Sequence, residues 1–108
     1  MVDEILEFIA LRIQKLRYER NVSARDMSLT IGQNEKYVTK IEAKQSKPSI
    51  VGLIYVCEYF GITLSEFFDE EVEHPLREKE LLSVTRRLDG EAYGYLIGIA
   101  KKLNDGKK

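Results

Sequence analysis

Apolar residues recur at helical intervals along almost the whole chain, and no strand-like alternation persists. The first segment carries a stripe with intervals of four, four and three residues, formed by Ile5, Ile9, Ile13 and Leu16. This spacing places the four side chains on one face and predicts a helix from about Asp3 to Arg20. Asn21 is a residue at which such a helix can end.

A short second helix is predicted from its polar start and its apolar back. Ser23-x-x-Asp26 is similar to a capping box, in which the first side chain accepts from an amide one turn later. The helix then buries Met27 and Ile31 and stops at Gly32.

The third helix is predicted to start at Asn34 as its N-cap and to continue to about Lys44. Val38 and Ile41 are three residues apart and form its thin apolar edge. Only about three residues around a glycine then join the second helix to the third. Two short helices joined in this way are typical of a helix-turn-helix.

Two further helices complete this region. The fourth begins at Pro48-Ser49, ends at Gly61, and carries Ile50, Leu53, Ile54, Cys57 and Phe60 on one face. Thr63-x-x-Glu66 predicts the start of a short fifth helix, whose apolar residues are Leu64, Phe67 and Phe68.

An acidic stretch, Asp69 to Pro75, reads as a linker. Beyond it, helical spacing predicts one helix to about Leu88 and another from Asp89 to about Leu103. We therefore expect an all-α protein with a helix-turn-helix domain over residues 1–69, a linker over 70–75 and a helical extension over 76–108.

Composition and charge narrow the function. The 108 residues are 44% apolar, which suits one compact domain with an appendage. The net charge is −1, yet residues 12–50 carry nine Lys/Arg against four Asp/Glu. The basic excess thus lies around the third helix, where we expect an anionic partner. An acidic start without a signal peptide, and no apolar run of about 20 residues, predict a cytoplasmic protein without a membrane partner.

An enzyme is the least favoured class. The chain has no Ser/His/Asp set, no phosphate-binding glycine loop and no metal-ligand spacing. Cys57 lies in an apolar run and is expected to be a buried, reduced thiol, while His74 in the acidic linker is expected to be solvated. We expect no catalytic residue, metal or cofactor.

The polar front of the third helix carries the candidate function. With Val38 and Ile41 at the back, the side chains that project forward or sideways are Glu35, Lys36, Tyr37, Thr39 and Lys40. A helix fits the major groove of DNA, where lysine donates to guanine and a carboxylate accepts from cytosine N4. Threonine or tyrosine can contact a thymine methyl group or a phosphate. Alternatively, Tyr37 packs flat against the domain.

Phosphate contacts are expected around this front. The candidates are Ser23, Arg25, Asn34, Lys44 and Lys47, where the second helix also offers its first free amides. For Lys44 and Lys47 a purely solvated role is the alternative.

Residues 9–69 resemble the Cro/phage-repressor class, also called xenobiotic-response-element-type helix-turn-helix proteins. The matching stretches are "IALRIQKLRYERNVSARDMSLTIG", "NEKYVTKIEAKQSKPS" and "YVCEYFGITLSEFF". The resemblance implies a five-helix lambda-repressor-like domain that regulates transcription, and an ion pair between Arg17 and Glu42 that locks the recognition helix. Ala24 stands where many members carry a glutamine that contacts the DNA backbone or supports the third helix, and Glu35 where many carry a neutral or basic residue. Both departures predict weaker or more selective DNA binding.

The last 34 residues are too few to bury two amphipathic helices on each other alone. Gly90, Gly94 and Gly98 recur every four residues, although each costs a helix about 1 kcal/mol relative to alanine. We expect a homodimer whose seam is formed by Gly94, Leu96, Ile97 and Gly98, and the alternative is a helix that frays. Two copies would read an inverted repeat. Similar proteins sense a ligand or peptide through this region, but no pocket-forming set of residues identifies an inducer here.

The leading interpretation is a sequence-specific DNA-binding transcriptional regulator, with a repressor acting as a homodimer as its most specific form. A protein-interaction or antitoxin-like module that reuses the same fold is the main rival. Overall acidity and Glu35 favour the rival, whereas Lys36, Lys40, Lys44 and Lys47 oppose it.

Overall fold

The computed structural model describes residues 1–71 and 73–106, and these residues form seven helices and no strand. The helices are α1 (Val2–Arg20), α2 (Ala24–Thr30), α3 (Tyr37–Glu42), α4 (Ile50–Phe60), α5 (Leu64–Phe67), α6 (Pro75–Thr85) and α7 (Gly90–Asp105). The predicted all-α class is confirmed. The chain divides into two compact units, Met1–Arg77 and Glu78–Lys108, and the division falls within α6.

Most helix ends follow the local chemistry of the sequence. The side chains of Ser23, Ser49 and Asp89 each accept from an amide one turn into the following helix. Thr63 and Glu66 form a complete, reciprocal capping box at the start of α5. Asn21 and Gly61 end α1 and α4 in the left-handed conformation.

The first unit has one hydrophobic core to which all of α1 to α5 contribute. Its buried members are Ile9, Ile13, Leu16, Met27, Val38, Ile41, Leu53, Val56, Cys57, Phe60, Ile62 and Phe67. Three of the four residues in the predicted α1 stripe belong to it, while Ile5 is 46% exposed. The stripe therefore describes the middle and end of α1 and fails only near its first turns.

The predicted inner face of α4 is partly wrong. Ile50 is 69% exposed and Ile54 37% exposed, whereas Val56 is completely buried. The α4 sequence IVGLIYVCEYF is apolar on almost every side, so its periodicity does not mark which residues face inward. The choice is made by the packing of α4 against the other helices.

The start of α3 also differs from the expectation. Asn34 is not its N-cap, because its Oδ1 accepts from the backbone N–H of Lys36 at 2.9 Å and so builds a turn before the helix. The helix begins at Tyr37, and Lys36 precedes it without a side-chain cap bond. Six residues, 31–36, therefore connect α2 to α3. At the other end, Lys44 has a positive φ of 60° and lies beyond the helix.

Aromatic packing joins α1 to the end of α5. Phe8 stacks on Phe68 with ring centroids 5.8 Å apart and meets Phe67 edge-on at 6.5 Å. Arg12 lies over the ring of Phe8, with Cζ 5.0 Å from the ring centroid, and donates to the backbone oxygen of Asp69 at 2.7 Å. Two segments far apart in sequence are thus held together at one end of the first unit.

His74 is not simply solvated, as its linker position suggested. It is half-buried, and its Nδ1 lies 3.8 Å from Oε1 of Glu19 on α1. The other oxygen of Glu19 accepts from the backbone N–H of Leu76 at 3.1 Å, within the first turn of α6. The residues before α6 are therefore fastened to α1.

The second unit contrasts with the first in its burial. No residue of α7 is buried, and the only buried residue of α6 is Pro75, which belongs to the first unit. α6 ends at Thr85, about three residues before the predicted end. Among the described residues, no helix combines the length and apolar character needed to cross a membrane.

Candidate nucleic-acid interface

α3 is anchored by its back and exposed at its front. Val38 and Ile41 are 0% and 2% exposed, so they fix which side of the helix faces the core. With 3.6 residues per turn, Thr39 and Lys40 must then face away from the core. Both are exposed, as is Lys36 in the preceding turn. The front of α3 thus carries two amines and a hydroxyl that the fold does not need.

Ser28 links α2 to α3 through a buried hydroxyl, a role that the sequence did not reveal. Its Oγ donates to the backbone oxygen of Ala24 at 2.7 Å and accepts from the backbone N–H of Val38 at 2.9 Å. That amide lies in the first turn of α3, where no intrahelical acceptor exists. Ser28 therefore satisfies a buried donor and fixes the start of α3 against α2.

Arg17 and Glu42 lock the other end of α3, and the structure brings together the pair that the resemblance implied. Arg17 Nε and Nη2 donate to the two carboxylate oxygens of Glu42 at 2.6 and 2.7 Å. Nη1 also donates to the backbone oxygen of Val22 at 3.0 Å. The hydrogen bond to Glu42 raises the pKa of Arg17. A planar, two-pronged pair of this kind fixes orientation as well as distance.

Tyr37 does not stand on the front of α3. Its ring packs against the hydrophobic core, and its hydroxyl lies where a Cβ on Gly52 would be. Burial raises the pKa of the Tyr37 hydroxyl. The structure thus supports the alternative in which Tyr37 packs against the domain. Only glycine at position 52 leaves room for this contact between α3 and α4.

Glu35, in the turn before α3, forms an exposed ion pair with Arg25 on α2. Arg25 Nε donates to Glu35 Oε2 at 3.2 Å, and both side chains remain at least half exposed. The pair offsets the negative charge that Glu35 brings near the front of α3. It also engages Arg25, which was predicted to contact a phosphate.

The remaining phosphate candidates are distributed around this front. Ser23 is used as the cap of α2, and the side-chain oxygen of Asn34 holds the turn before α3. Lys44 Nζ lies 4.0 Å from Glu7 Oε1, while Lys47 is exposed. Ala24 packs against the core. Of the five phosphate candidates, Lys47 takes the smallest part in holding the fold together.

The predicted dimer seam does not lie on one face. α7 is continuous through all four seam residues, so Gly94 and Gly98 are two residues from Leu96 and project from the opposite side of the helix. Ile97 lies between the two faces. A Cβ added at Gly94 or Gly98 would meet nothing within 4 Å. The apolar face with Leu96 and the glycine face are therefore separate surfaces.

Comparison with known proteins adds no relative: no family model, curated protein or solved structure matches the chain. Among the described residues, no group of three or more His, Cys, Asp or Glu side chains could hold a metal ion. The functional interpretation therefore depends on the chemistry of the chain's own residues, above all on the contrast between the two sides of α3.

Proposed function

We propose that the chain is a sequence-specific DNA-binding transcriptional regulator, a repressor that binds an inverted repeat as a homodimer. In this proposal residues 1–69 adopt a lambda-repressor-like arrangement, and α3 enters the major groove. One observation carries it: α3 is fixed from behind by buried apolar residues, a buried hydroxyl and an ion pair, yet its front is free. A fixed helix with free donors is what reading base edges requires.

The residues that contact base edges in this proposal are Lys36, Thr39 and Lys40. The two amines can donate to guanine O6 and N7, and the Thr39 methyl group can contact a thymine methyl group. Tyr37 acts from behind by bracing α3 on α4. Glu35 accepts from a cytosine amino group only if its bond to Arg25 opens, and Arg25 is then released toward a phosphate.

The homodimer rests on the second unit. Its described residues are all at least partly exposed, although α7 carries large apolar side chains such as Tyr93 and Leu103. A unit of this size without buried residues needs a covering surface. A two-fold dimer would set two copies of α3 about 34 Å apart, which is one turn of DNA. Two weak half-sites then combine through their effective concentration.

The test is selection of bound duplexes from a random DNA library at moderate salt. The wild-type chain should enrich an inverted repeat, and Lys36→Ala/Lys40→Ala should enrich none. Arg86→Ala/Arg87→Ala is the matched control, because it removes two exposed positive charges from a site outside α3 and should enrich the same repeat. Equal enrichment by both variants would contradict reading by α3.

Salt dependence separates this proposal from a protein-interaction module. DNA binding through lysines should weaken steeply with salt, with a slope of roughly −0.9 in log–log form for each phosphate contacted. Lys47→Ala should reduce that slope by about one contact without changing the selected sequence. If no duplex is enriched at any salt concentration, the protein-interaction reading is favoured instead.

A further inference from the structure

The ion pair between Arg25 and Glu35 joins two stretches of backbone that are each fixed by hydrogen bonds. Arg25 is the second residue of α2, the helix that Ser23 caps. Glu35 lies in the turn before α3, where Asn34 accepts from the backbone N–H groups one and two residues beyond Glu35, both at 2.9 Å. Only the two side chains themselves are therefore free to move, and each is held by the other.

The pair occupies one nitrogen of the Arg25 guanidinium and leaves the other two open. Nε donates to Glu35 Oε2 at 3.2 Å. Within the part of the chain that the structure describes, Nη1 and Nη2 have no hydrogen-bond partner. These two nitrogens form the end of a planar group and donate in parallel. Since 67% of the Arg25 side chain is exposed, an acceptor from another molecule can reach this end.

Glu35 brings the guanidinium of Arg25 to the start of α3. The carboxylate that holds Nε belongs to the residue directly before Lys36, where the exposed front of α3 begins. In a helix-turn-helix bound to DNA, the first helix crosses the backbone, and the N-terminal residues of the second helix reach base edges. Arg25 belongs to the first of these helices by sequence, but its guanidinium lies beside the start of the second.

Charge favours a base over a phosphate as the acceptor. Arg25 and Glu35 carry opposite charges, so the closed pair is neutral and attracts a phosphate only weakly. A phosphate at the free end of the guanidinium would also face the nearby carboxylate of Glu35. O6 and N7 of guanine are neutral acceptors that match the two parallel donors of an arginine. The closed pair therefore suits guanine better than a second anion.

We propose that Glu35 is a positioning residue that holds Arg25 toward a guanine in the major groove. The inference rests on the proposed function, in which α3 enters that groove, and it adds Arg25 to the residues that contact base edges. Glu35 contacts no base while the pair is closed, and it sets the direction of the guanidinium. Each half-site then contains one G·C pair whose recognition depends on Arg25 rather than on the lysines of α3.

The test repeats the selection from a random DNA library, at one salt concentration, with Arg25→Ala, Glu35→Ala and Arg25→Ala/Glu35→Ala. The wild type should prefer G·C at one position of each half-site by about 5- to 150-fold, and Arg25→Ala should abolish the preference at that position alone. Glu35→Ala should reduce the same preference by about two- to fivefold, because it removes an exposed pair. The double variant should match Arg25→Ala, since Glu35 acts through Arg25.

Two further measurements separate positioning from a general effect on binding. Glu35→Ala removes a negative charge, so its affinity for DNA of random sequence should rise while its preference for G·C falls. Glu35→Gln keeps an oxygen that can accept from Nε and should retain more of the preference than Glu35→Ala. Arg86→Ala removes an exposed positive charge outside residues 1–69 and should leave every position unchanged. Circular dichroism checks that each variant is folded.

Two results overturn the positioning role while the inverted repeat is still enriched and the proposed function stands. If Arg25→Ala weakens binding equally for all duplexes and lowers the salt slope by about one contact, Arg25 contacts a phosphate. If the G·C preference survives Arg25→Ala but not Glu35→Ala, Glu35 itself accepts from the cytosine. Failure of the wild type to enrich any sequence is a different result, because it overturns the proposed function and this contact together.

Discussion

α1 and α7 are two amphipathic helices of similar length with opposite fates. α1 places Ile9, Ile13 and Leu16 in a core shared by five helices, while no residue of α7 is buried. Both sequences show an apolar face at helical spacing. Periodicity therefore identifies an apolar face that has to be buried, but it does not identify the surface that buries it.

The first unit should therefore carry its own stability, and the second should depend on association. This contrast can be measured by removing one aromatic ring from each unit. Phe67→Ala should lower the free energy of unfolding by about 3–5 kcal/mol, because its ring is fully buried. Tyr95→Ala, at a ring that is 67% exposed, should change it by less than about 0.5 kcal/mol. Urea unfolding followed by circular dichroism, at a concentration where the chain is monomeric, gives both values.

A comparable cost for the two substitutions would break the contrast, since it would mean that the second unit has a core of its own in solution.

Two ion pairs of the first unit give a second contrast, because one is largely buried and the other is exposed. Arg17→Met should cost about 3 kcal/mol, because it leaves the carboxylate of Glu42, only 12% exposed, without its partner. Arg17→Met/Glu42→Leu should cost less than the sum of its single changes. Arg25→Ala, which breaks an exposed pair, should cost less than about 1 kcal/mol. Equal costs for Arg17→Met and Arg25→Ala, measured by the same unfolding experiment, would contradict the locking role.

Cys57 offers a test that depends on pH. Burial, with a further contribution from the charge of Glu66, raises the pKa of its thiol to about 11. The unfolded chain ionises this thiol at about pH 8.5. Stability should thus be complete below that pH and fall as pH rises toward 11, by about 2–3 kcal/mol.

The check is unfolding of the wild type and of Cys57→Ala between pH 8 and 11. The difference between the two should shrink as pH rises, because the variant lacks this group. A constant difference would show that the thiol is not held in its neutral form.

Substitution of the α7 glycines should have a small effect of the opposite sign. Gly94→Ala and Gly98→Ala should each stabilise α7 by about 0.5–1 kcal/mol, because the added methyl groups meet nothing and alanine favours a helix. Circular dichroism should show increased helicity with an unchanged mass by light scattering. A smaller particle would instead place the glycine face in the dimer contact. Gly52→Ala is the contrasting change, since its Cβ would overlap the Tyr37 hydroxyl.

The start of a helix was predictable where the capping side chain and the amide from which it accepts lie within the same short stretch of sequence. Ser23, Ser49 and Thr63 accept from amides three residues away, so their roles follow from spacing alone. Asn34 has the same chemistry but closes a shorter turn, and sequence does not distinguish a cap from such a turn. The sequence therefore indicates that a helix starts nearby, but not which polar residue caps it or at which residue it begins.

The charged residues of the candidate site were predictable from the sequence. The contacts that hold α3 in place were less so. The exposure of Lys36, Thr39 and Lys40 follows from the burial of their neighbours. Ser28 was missed because a serine inside a helix usually bonds to its own turn, as Ser28 does with Ala24. Its second bond, to Val38, exists only once α2 and α3 are packed. The orientation of Tyr37 likewise depends on the absence of a side chain at Gly52 on another helix.

The buried Ser28 hydroxyl has a consequence for how this chain can change over generations. Ser28 is completely buried and helps to fix the orientation of α3. The exposed residues of α3 can therefore vary without loss of the fold. A library randomised at positions 36, 39 and 40 should therefore yield folded proteins almost throughout, with Ser28 left untouched. In the proposed DNA complex, a new base preference would then need only a change at one of these surface residues, while Ser28 keeps the start of α3 fixed against α2.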